Sequence, residues 1–251
     1  MKSAERLLKL QELFTTREFV DAESLIGMFG ASESTIRRDL IRLEEQGLLK
    51  RVHGGAISIK AHDETLDFGR LAGSAPAAKA RIGKAAASLL KDHQTVVLGT
   101  GSTVLEVARC LVGRPLHVIT NSIPVAEVFW DSKTPEVTLT GGYLYPRTGA
   151  QLGPICEQML DSIHADVAVL GIGGITAVGL TDSNTLIMGT VKKMIKRARK
   201  VIVVADATKF GHNGMVRIAS LDEIDILVSD TSLSPEHQEL IAPHSVELLL
   251  A

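Results

Sequence analysis

Residues 32–55, SESTIRRDLIRLEEQGLLKRVHGG, decide the fold of the N-terminal part of the chain, because one run carries a helix start, an apolar stripe, a helix stop and an alternating basic segment. Ser32 is placed to cap a helix by accepting from a free first-turn N–H, and Glu33 puts an acid where the helix dipole favours one. The helix then runs to a stop at Gly47. Ile36, Leu40 and Leu43 recur at helical spacing and form one buried stripe, which leaves Ser34, Thr35, Arg37, Arg38 and Arg42 off it. Beyond Gly47 the sequence LLKRVHGGAI alternates, carries Lys50 and Arg51 and turns at Gly54-Gly55, which predicts a β-hairpin.

The residues upstream complete a motif. Leu7, Leu10, Leu13 and Phe14 give a first amphipathic helix, and Phe19, Val20, Leu25, Ile26 and Phe29 serve a second that begins near Asp21 or Ala22 and ends in a tight turn at Gly30. Helix, glycine turn and helix followed by a basic hairpin is a winged helix-turn-helix over residues 1–60, with the second helix of the pair entering the major groove. Composition alone reads IRRDLIRLEEQG equally well as an ordinary helix with a solvated charged face. Net charge does not separate the two readings, since residues 1–60 hold 10 Lys and Arg against 9 Asp and Glu. Placement does, because Arg37, Arg38, Arg42, Lys50 and Arg51 cluster. The candidate DNA-binding residues are Ser32, Ser34, Thr35, Arg37, Arg38, Arg42, Lys50, Arg51 and His53. Of these, Ser34, Thr35, Arg37 and Arg38 suit base edges, and Lys50 and Arg51 suit phosphates.

The full chain of 251 residues, 45% hydrophobic and 22% charged with a net charge of −2, has an ordinary globular balance and room for two domains. Residues 58–78 lose alternation and gather Gly, Ser, Ala and Pro, so 61–78 reads as a linker and 79–251 as a second domain. A helix of roughly Ala80 to Leu90 opens it, burying Ile82, Ala86, Leu89 and Leu90. Short apolar runs then alternate with helical stretches. TVVLG precedes a helix from Thr103 to Cys110, HVIT a helix from Pro124 to Trp130, and EVTLT follows. VAVLG, a cationic helix from Leu186 to Ala198, VIVVA, ILVS, a helix after Ser234 and VELLL complete the series, the pattern of an α/β domain with a mainly parallel sheet.

In such sheets ligands gather at the C-terminal ends of the strands. Gly99-Thr100-Gly101-Ser102-Thr103 follows one strand and opens a helix, so its amides and hydroxyls can converge on a phosphate, although glycine also serves strand-to-helix turns for steric reasons alone. It lacks the spacing and lysine of a nucleotide-hydrolysing loop. Asn121 and Ser122 end another strand and are either ligand donors or helix caps. Gly141 and Gly142 with Arg147 offer a guanidinium fork after the third strand, which a surface arginine would match locally. Asp206 and Lys209 are either a sugar-hydroxyl acceptor with a phosphate counter-charge or an exposed ion pair. Lys192 lies on a helix face that solvent would also explain.

These motifs together resemble the DeoR family of bacterial transcription regulators. The resemblance runs through TIRRDL, EEQGLLKRVHGGA, Gly99–Thr103, Val118-Ile119-Thr120-Asn121-Ser122, Gly141-Gly142 with Arg147, Gly171-Ile172-Gly173-Gly174-Ile175, Gly179-Leu180-Thr181 and Ala205–Gly211. It implies an N-terminal winged helix-turn-helix joined to a domain resembling sugar-phosphate isomerases, which represses a carbohydrate operon until a phosphorylated sugar binds. It also adds Gly173 to the effector set and places Lys192 near the ligand. The implied partners are double-stranded operator DNA, a phosphorylated sugar and further copies of the chain as a dimer or tetramer.

An isomerase or deaminase is the competing class. Moving a proton between carbons needs a placed carboxylate, and Asp166-Val167-Ala168-Val169-Leu170-Gly171 is apolar where the isomerase pattern carries an acidic cluster, so no enzymatic activity is expected. The eight histidines make no ligand pair beside a carboxylate cluster, so neither a metal nor a cofactor is expected. Cys110 and Cys156 read as small buried hydrophobes. MKSAERLLKLQELF lacks a signal peptide's apolar core and no apolar run approaches a membrane span, which predicts a cytoplasmic protein.

Overall fold

The computed structural model describes residues 3–16, 19–46, 48–52, 55–58, 75–182 and 184–251, in two compact units, Met1–Asp67 and Phe68–Ala251. In the first unit, α1 (Ser3–Thr16), β1 (Phe19–Asp21), α2 (Ala22–Phe29) and α3 (Glu33–Glu45) precede β2 (Leu49–Val52) and β3 (Gly55–Ser58). Asp21 starts α2, its extended backbone freeing the carboxylate to accept from the Ser24 N–H at 2.7 Å. Gly30 ends α2 at φ +55°, a left-handed turn that glycine adopts without Cβ strain. The stripe Ile36, Leu40 and Leu43 is buried with Leu10, Phe14, Val20, Leu25, Leu49 and Ala56 in one core.

Two local expectations for this unit are corrected. Phe19 and Val20 belong to β1, not to a helix, and pair antiparallel with β3 at Phe19↔Ile57 and Val20↔Ala56, giving a sheet in the order β1-β3-β2. Three residues between two helical patterns are too few to show a strand's alternation. Ser32 does occupy the N-cap position of α3, but its hydroxyl accepts from no first-turn N–H. It bonds instead to the hydroxyls of Ser34 (3.1 Å) and Thr35 (2.8 Å), while its carbonyl accepts from the Thr35 and Ile36 amides. Gly47, His53, Gly54 and the side chain of Lys50 lie outside the described residues.

The second unit begins with α4 (Pro76–Ser88) and continues through β4 (Thr95–Leu98), α5 (Ser102–Leu111), β5 (His117–Thr120), α6 (Ile123–Glu127), β6 (Glu136–Leu139), β7 (Tyr143–Tyr145), β8 (Ala150–Leu152) and α7 (Pro154–Asp161). It then forms β9 (Ala165–Gly171), β10 (Gly174–Thr176), β11 (Gly179–Asp182), α8 (Thr185–Arg197), β12 (Ala198–Val204), β13 (Val216–Ala219), β14 (Ile226–Ser229), α9 (Pro235–Ile241) and β15 (Glu247–Leu250). A seven-stranded parallel sheet has the order β15-β14-β12-β9-β4-β5-β6. Because both faces are covered, its strands are continuous apolar runs whose side chains alternate between two cores. Val96, Leu98, Val167, Val169, Ile202 and Val204 face Ile82 and Ala86 of α4 and Val104, Val107 and Leu111 of α5. Val97, Ala168, Leu170, Val201 and Val203 face Cys156 and Leu160 of α7 and Ile187, Val191 and Met194 of α8.

Helix α4 starts at Pro76, inside the stretch that reads as linker, because proline suits a helix's first turn. Helix α6 stops at Glu127, short of Trp130, which is exposed. Cys156 is buried and its thiol is pushed up by burial, as a small hydrophobe would be, but Cys110 is exposed. The antiparallel pair β7-β8 and the small sheet β10-β11-β13 interrupt the alternation and lie outside its prediction.

Candidate functional sites

In the first unit, the sequence puts Ile36 and Leu40 into the core, and their neighbours on the helix are therefore turned outward. Ser32, Ser34, Arg37, Arg38 and Arg42 are exposed and Thr35 is half-buried. Sequence reasoning missed what sets this rotation. Asp39 is almost fully buried and receives the Arg6 Nε–H at 2.6 Å, tying α3 to α1 by a buried ion pair. The signal was present, since Asp39 falls three residues after Ile36 and four before Leu43, at the edge of the apolar stripe.

Arg51 is placed differently from the other cations. Glu44 of α3 accepts both its backbone N–H, at 2.9 Å, and its Nε–H, at 2.6 Å. The wing strand is thereby laced to α3, and the charge of Arg51 is partly compensated within the protein. The backbone of Lys50 lies beside it on β2, opposite Ile57.

In the second unit the chain leaves β4 for β5 on one side and leaves β9 for β12 on the other, so the direction of strand order reverses between the neighbours β4 and β9. Crevices form at such reversals. Residues 99–103 and 171–174 both stand there. Gly101 has φ +122°, and a Cβ at Gly171 would lie 2.7 Å from the Thr100 carbonyl, so the loop after β4 leans over the end of β9 only because Gly171 is bare. Ser102 and Thr103 begin α5 and are each 7% exposed. The first backbone bond of α5 runs from the Leu105 N–H to the Gly101 carbonyl. The amides before it stand at the positive end of the helix dipole.

The ends of β5 and β6 are joined into one piece by β7 and β8. Asn121 donates through Nδ2 to the Gln151 carbonyl at 3.0 Å, and the Gln151 side chain accepts from the Gly141 N–H at 3.0 Å. Asn121 is 3% exposed and its Oδ1 has no hydrogen-bond partner. Ser122 is a helix cap, accepting from the Val125 N–H. Gly142 (φ +113°) is forced by packing, since a Cβ would stand 2.6 Å from the Leu152 carbonyl. Arg147 is half-buried in the turn between β7 and β8.

Asp206 does not form the exposed pair with Lys209 that its spacing allows. It is 1% exposed, and its Oδ1 accepts from the Thr208 N–H and hydroxyl. Its nearest cation is Lys79 of α4, 2% exposed, with Nζ 3.8 Å from Oδ2. Burial lowers the pKa of Lys79 and the Asp206 charge partly opposes that, while the half-buried Lys209 ammonium lowers it further and so stands near it. Asp230, at the end of β14, accepts from the Ala207 N–H at 2.8 Å and fixes the turn that carries Asp206. Burial raises its pKa, but the hydrogen bonds from Ser232 and from the Ala207 amide outweigh it and hold the carboxyl below its ordinary value. Lys79 was missed in the sequence. Its signal is a lysine at the apolar positions 79, 82, 83 and 86 of one helix face.

Two residues of the expected set stand differently. Lys192 is exposed, and its charge acts on Glu223 in the turn before β14, whereas Lys193 and Arg197 bond Asp161 of α7. Gly173 borders the carboxylate of Asp182 at the end of β11, 3.1 Å from where its Cβ would be. Asp166 sits at the opposite, N-terminal end of β9, where it accepts from the Thr95 N–H at 2.9 Å. Among the described residues no group of three or more His, Cys, Asp or Glu is placed to hold a metal ion, and no helix is long and apolar enough to cross a membrane.

Comparison with known proteins agrees with both regions. Residues 6–62 match the DeoR-like helix-turn-helix domain and residues 74–231 the DeoR C-terminal sensor domain. The chain is 33% identical over 250 residues to the HTH-type transcriptional repressor GlcR of Bacillus subtilis, covering 100% of this chain and 97% of that protein. It is 30% identical over 252 residues to the glycerol-3-phosphate regulon repressor of Escherichia coli, covering 100% of both. Among solved structures, ribose 5-phosphate isomerase A of Methanocaldococcus jannaschii shares 20% identity over 53% of each chain with a TM-score of 0.39. The eIF2B beta subunit of Chaetomium thermophilum shares 15% identity over 67% of this chain and 54% of that one with a TM-score of 0.45. These two likenesses are too slight to carry an argument. The family matches and the full-length relatives are not, and the chain belongs to the DeoR family of helix-turn-helix transcriptional regulators.

Proposed function

We propose that this protein represses a carbohydrate operon by binding its operator through α3 and the wing, and that a phosphorylated sugar bound at the C-terminal rim of the parallel sheet releases it. The observation that carries the reading is the loop Gly99–Thr103, with Ser102 and Thr103 buried at the first turn of α5 beside the reversal of strand order. A phosphate suits that arrangement because amides, hydroxyls and the helix dipole all favour an anion. In the order of the sheet, Asn121 and Gly141 follow β5 and β6 on one side of it, and Gly173 and Asp206 follow β9 and β12 on the other; Gly142, Arg147 and Lys209 complete the proposed set. The name of the Escherichia coli relative, a glycerol-3-phosphate regulon repressor, supports a phosphorylated polyol as the class.

Release without turnover fits the same geometry. Asp166, the acid of β9, lies at the far end of the strand and is occupied by the Thr95 amide, so it is not a base at the rim. The protein is then a cytoplasmic regulator that acts as a homo-oligomer, with two recognition helices about 34 Å apart in a dimer. The effector shifts operator affinity only through a difference in its own affinity for the two states, and about 1 to 3 kcal/mol of coupling suffices. Gel mobility with pentose and hexose phosphates is expected to show release by one of them and none by its unphosphorylated parent. A coupled assay with the same compounds is expected to stay silent, and turnover above about 1 s⁻¹ would replace the regulator reading by an isomerase.

A further inference from the structure

We propose that Asn213-Gly214, in the strap between β12 and β13, is a deamidation site that the Thr181 hydroxyl holds in check. In such a site the Gly214 backbone nitrogen, its proton lost to a solvent base, attacks the side-chain carbonyl carbon of Asn213. The new C–N bond closes a succinimide, and the side-chain nitrogen takes a proton from solvent and leaves as ammonia. Water then opens the ring at one carbonyl or the other, giving aspartate or isoaspartate. In sum, one amide and one water become one carboxylic acid and one ammonia, with no oxidant or reductant.

Sequence and exposure single out this residue. The chain has three asparagines, and only Asn213 precedes a glycine, whose nitrogen no side chain shields. Asn213 is exposed, as are His212 and Met215 on either side of the pair. By contrast, Asn121 is buried and donates to the Gln151 carbonyl, and Asn184 uses Oδ1 to accept from the Leu186 N–H. Packing makes the glycine obligatory. A Cβ at Gly214 would lie 2.5 Å from the backbone of Asp182, so a side chain there would push the strap off the end of β11. The labile pair is therefore a consequence of how the strap is seated.

The same seating supplies the check. Thr181 lies on β11 between β10 and β13 and is 1% exposed. Its hydroxyl accepts from the Gly214 N–H at 2.9 Å and donates to the His212 carbonyl at 3.3 Å. That carbonyl rests against Gly174, where a Cβ would collide with it. One hydroxyl thus pins the residues on both sides of Asn213. A hydrogen-bonded amide gives up its proton only when the bond opens, so ring closure waits on release of the strap. Isoaspartate then puts an additional backbone carbon between the two pins, which keeps the strap from returning to Thr181 and makes the change one-way.

Peptide mapping of the full chain, aged in mildly alkaline water enriched in heavy oxygen, tests this, because each conversion writes the isotope into residue 213. In the natural chain Asn213 is expected to convert more slowly than in a synthetic peptide of residues 208–218, and equal rates overturn the check. Thr181→Val keeps the branched shape without the hydroxyl and is expected to speed conversion at Asn213 about five-fold or more, with Asn121 unchanged. Thr181→Ser keeps the hydroxyl and is expected to stay at the natural rate. Conversion in Thr181→Val at the natural rate, equal acceleration in Thr181→Ser, or an equal rise at Asn121 overturns the role of Thr181. Asn213→Gln is expected to remove the label from residues 208–218, and label that persists there, or appears first at Asn121 or Asn184, overturns the site. Hydrogen exchange at the Gly214 amide of the natural chain decides the matter if Thr181→Val does not melt cooperatively: exchange slower than in the peptide supports the check, and exchange as fast overturns it.

Discussion

Apart from Asp39, helix α3 holds its polar groups at the surface, while the rim of the parallel sheet holds its own inside. Ser34, Arg37, Arg38 and Arg42 are exposed, whereas Ser102, Thr103, Asn121, Asp206 and Lys79 are buried. Under the proposed function the difference follows the two kinds of ligand. A duplex is a long polyanion that meets many cations at once, each of which stays hydrated until contact and contributes through counterion release. A small effector offers few atoms, so each contact must be pre-placed and dry to matter. One region is therefore expected to tolerate loss of single groups gradually, and the other to fail when one buried group is removed.

The largest effect is expected beneath the exposed surface. Asp39→Ala would leave Arg6 buried without its carboxylate and destabilise the helix-turn-helix unit by about 3 to 5 kcal/mol, read as a lowered denaturation midpoint of that unit. A change below 1 kcal/mol would make the Arg6–Asp39 pair an ornament of α3 and not its anchor. Next, Arg38→Ala is expected to cost about 1 to 3 kcal/mol on the specific operator and to relax base preference; the same loss on random duplex would move Arg38 to the phosphate class. Lys50→Ala should weaken all duplexes alike and reduce the log–log salt slope by about one, and a constant slope would remove it from the phosphate contacts. The smallest effect belongs to Arg51→Ala. Its guanidinium is already held by Glu44, so the expected loss is about 0.2 to 1 kcal/mol with little change of slope, and a slope change equal to that of Lys50→Ala would restore it as a phosphate contact.

The helices and parallel strands were legible because each depends on a pattern longer than its own noise. Ile36, Leu40 and Leu43 are spaced as one face of a helix, and TVVL, VAVL and VIVV are buried on both sides as their continuous apolar runs imply. The short strands were not, since β1 and β10 have three residues each and depend on partners far along the chain. The loop Gly99–Thr103 was legible as a turn with donors, but not its lean towards β9, which requires Gly171. Ion pairs such as Arg6–Asp39 and Lys79–Asp206 join residues that no local rule brings together, and a charged residue within an apolar stripe was the only mark they left.

Asp21 ends β1, paired with Gly55, and itself caps α2, which begins at the next residue. A single peptide thus sets the angle between the wing's sheet and the reading pair of helices. It follows that this joint leaves no slack for added length: one residue inserted between Asp21 and Ala22 would have to unzip β1 from β3 or uncap α2. The turn after Gly30 closes no strand register and would absorb the same insertion at the surface. In grafting such a module onto another sensor, the portable piece is therefore the whole span from α1 to β3, not the two helices alone.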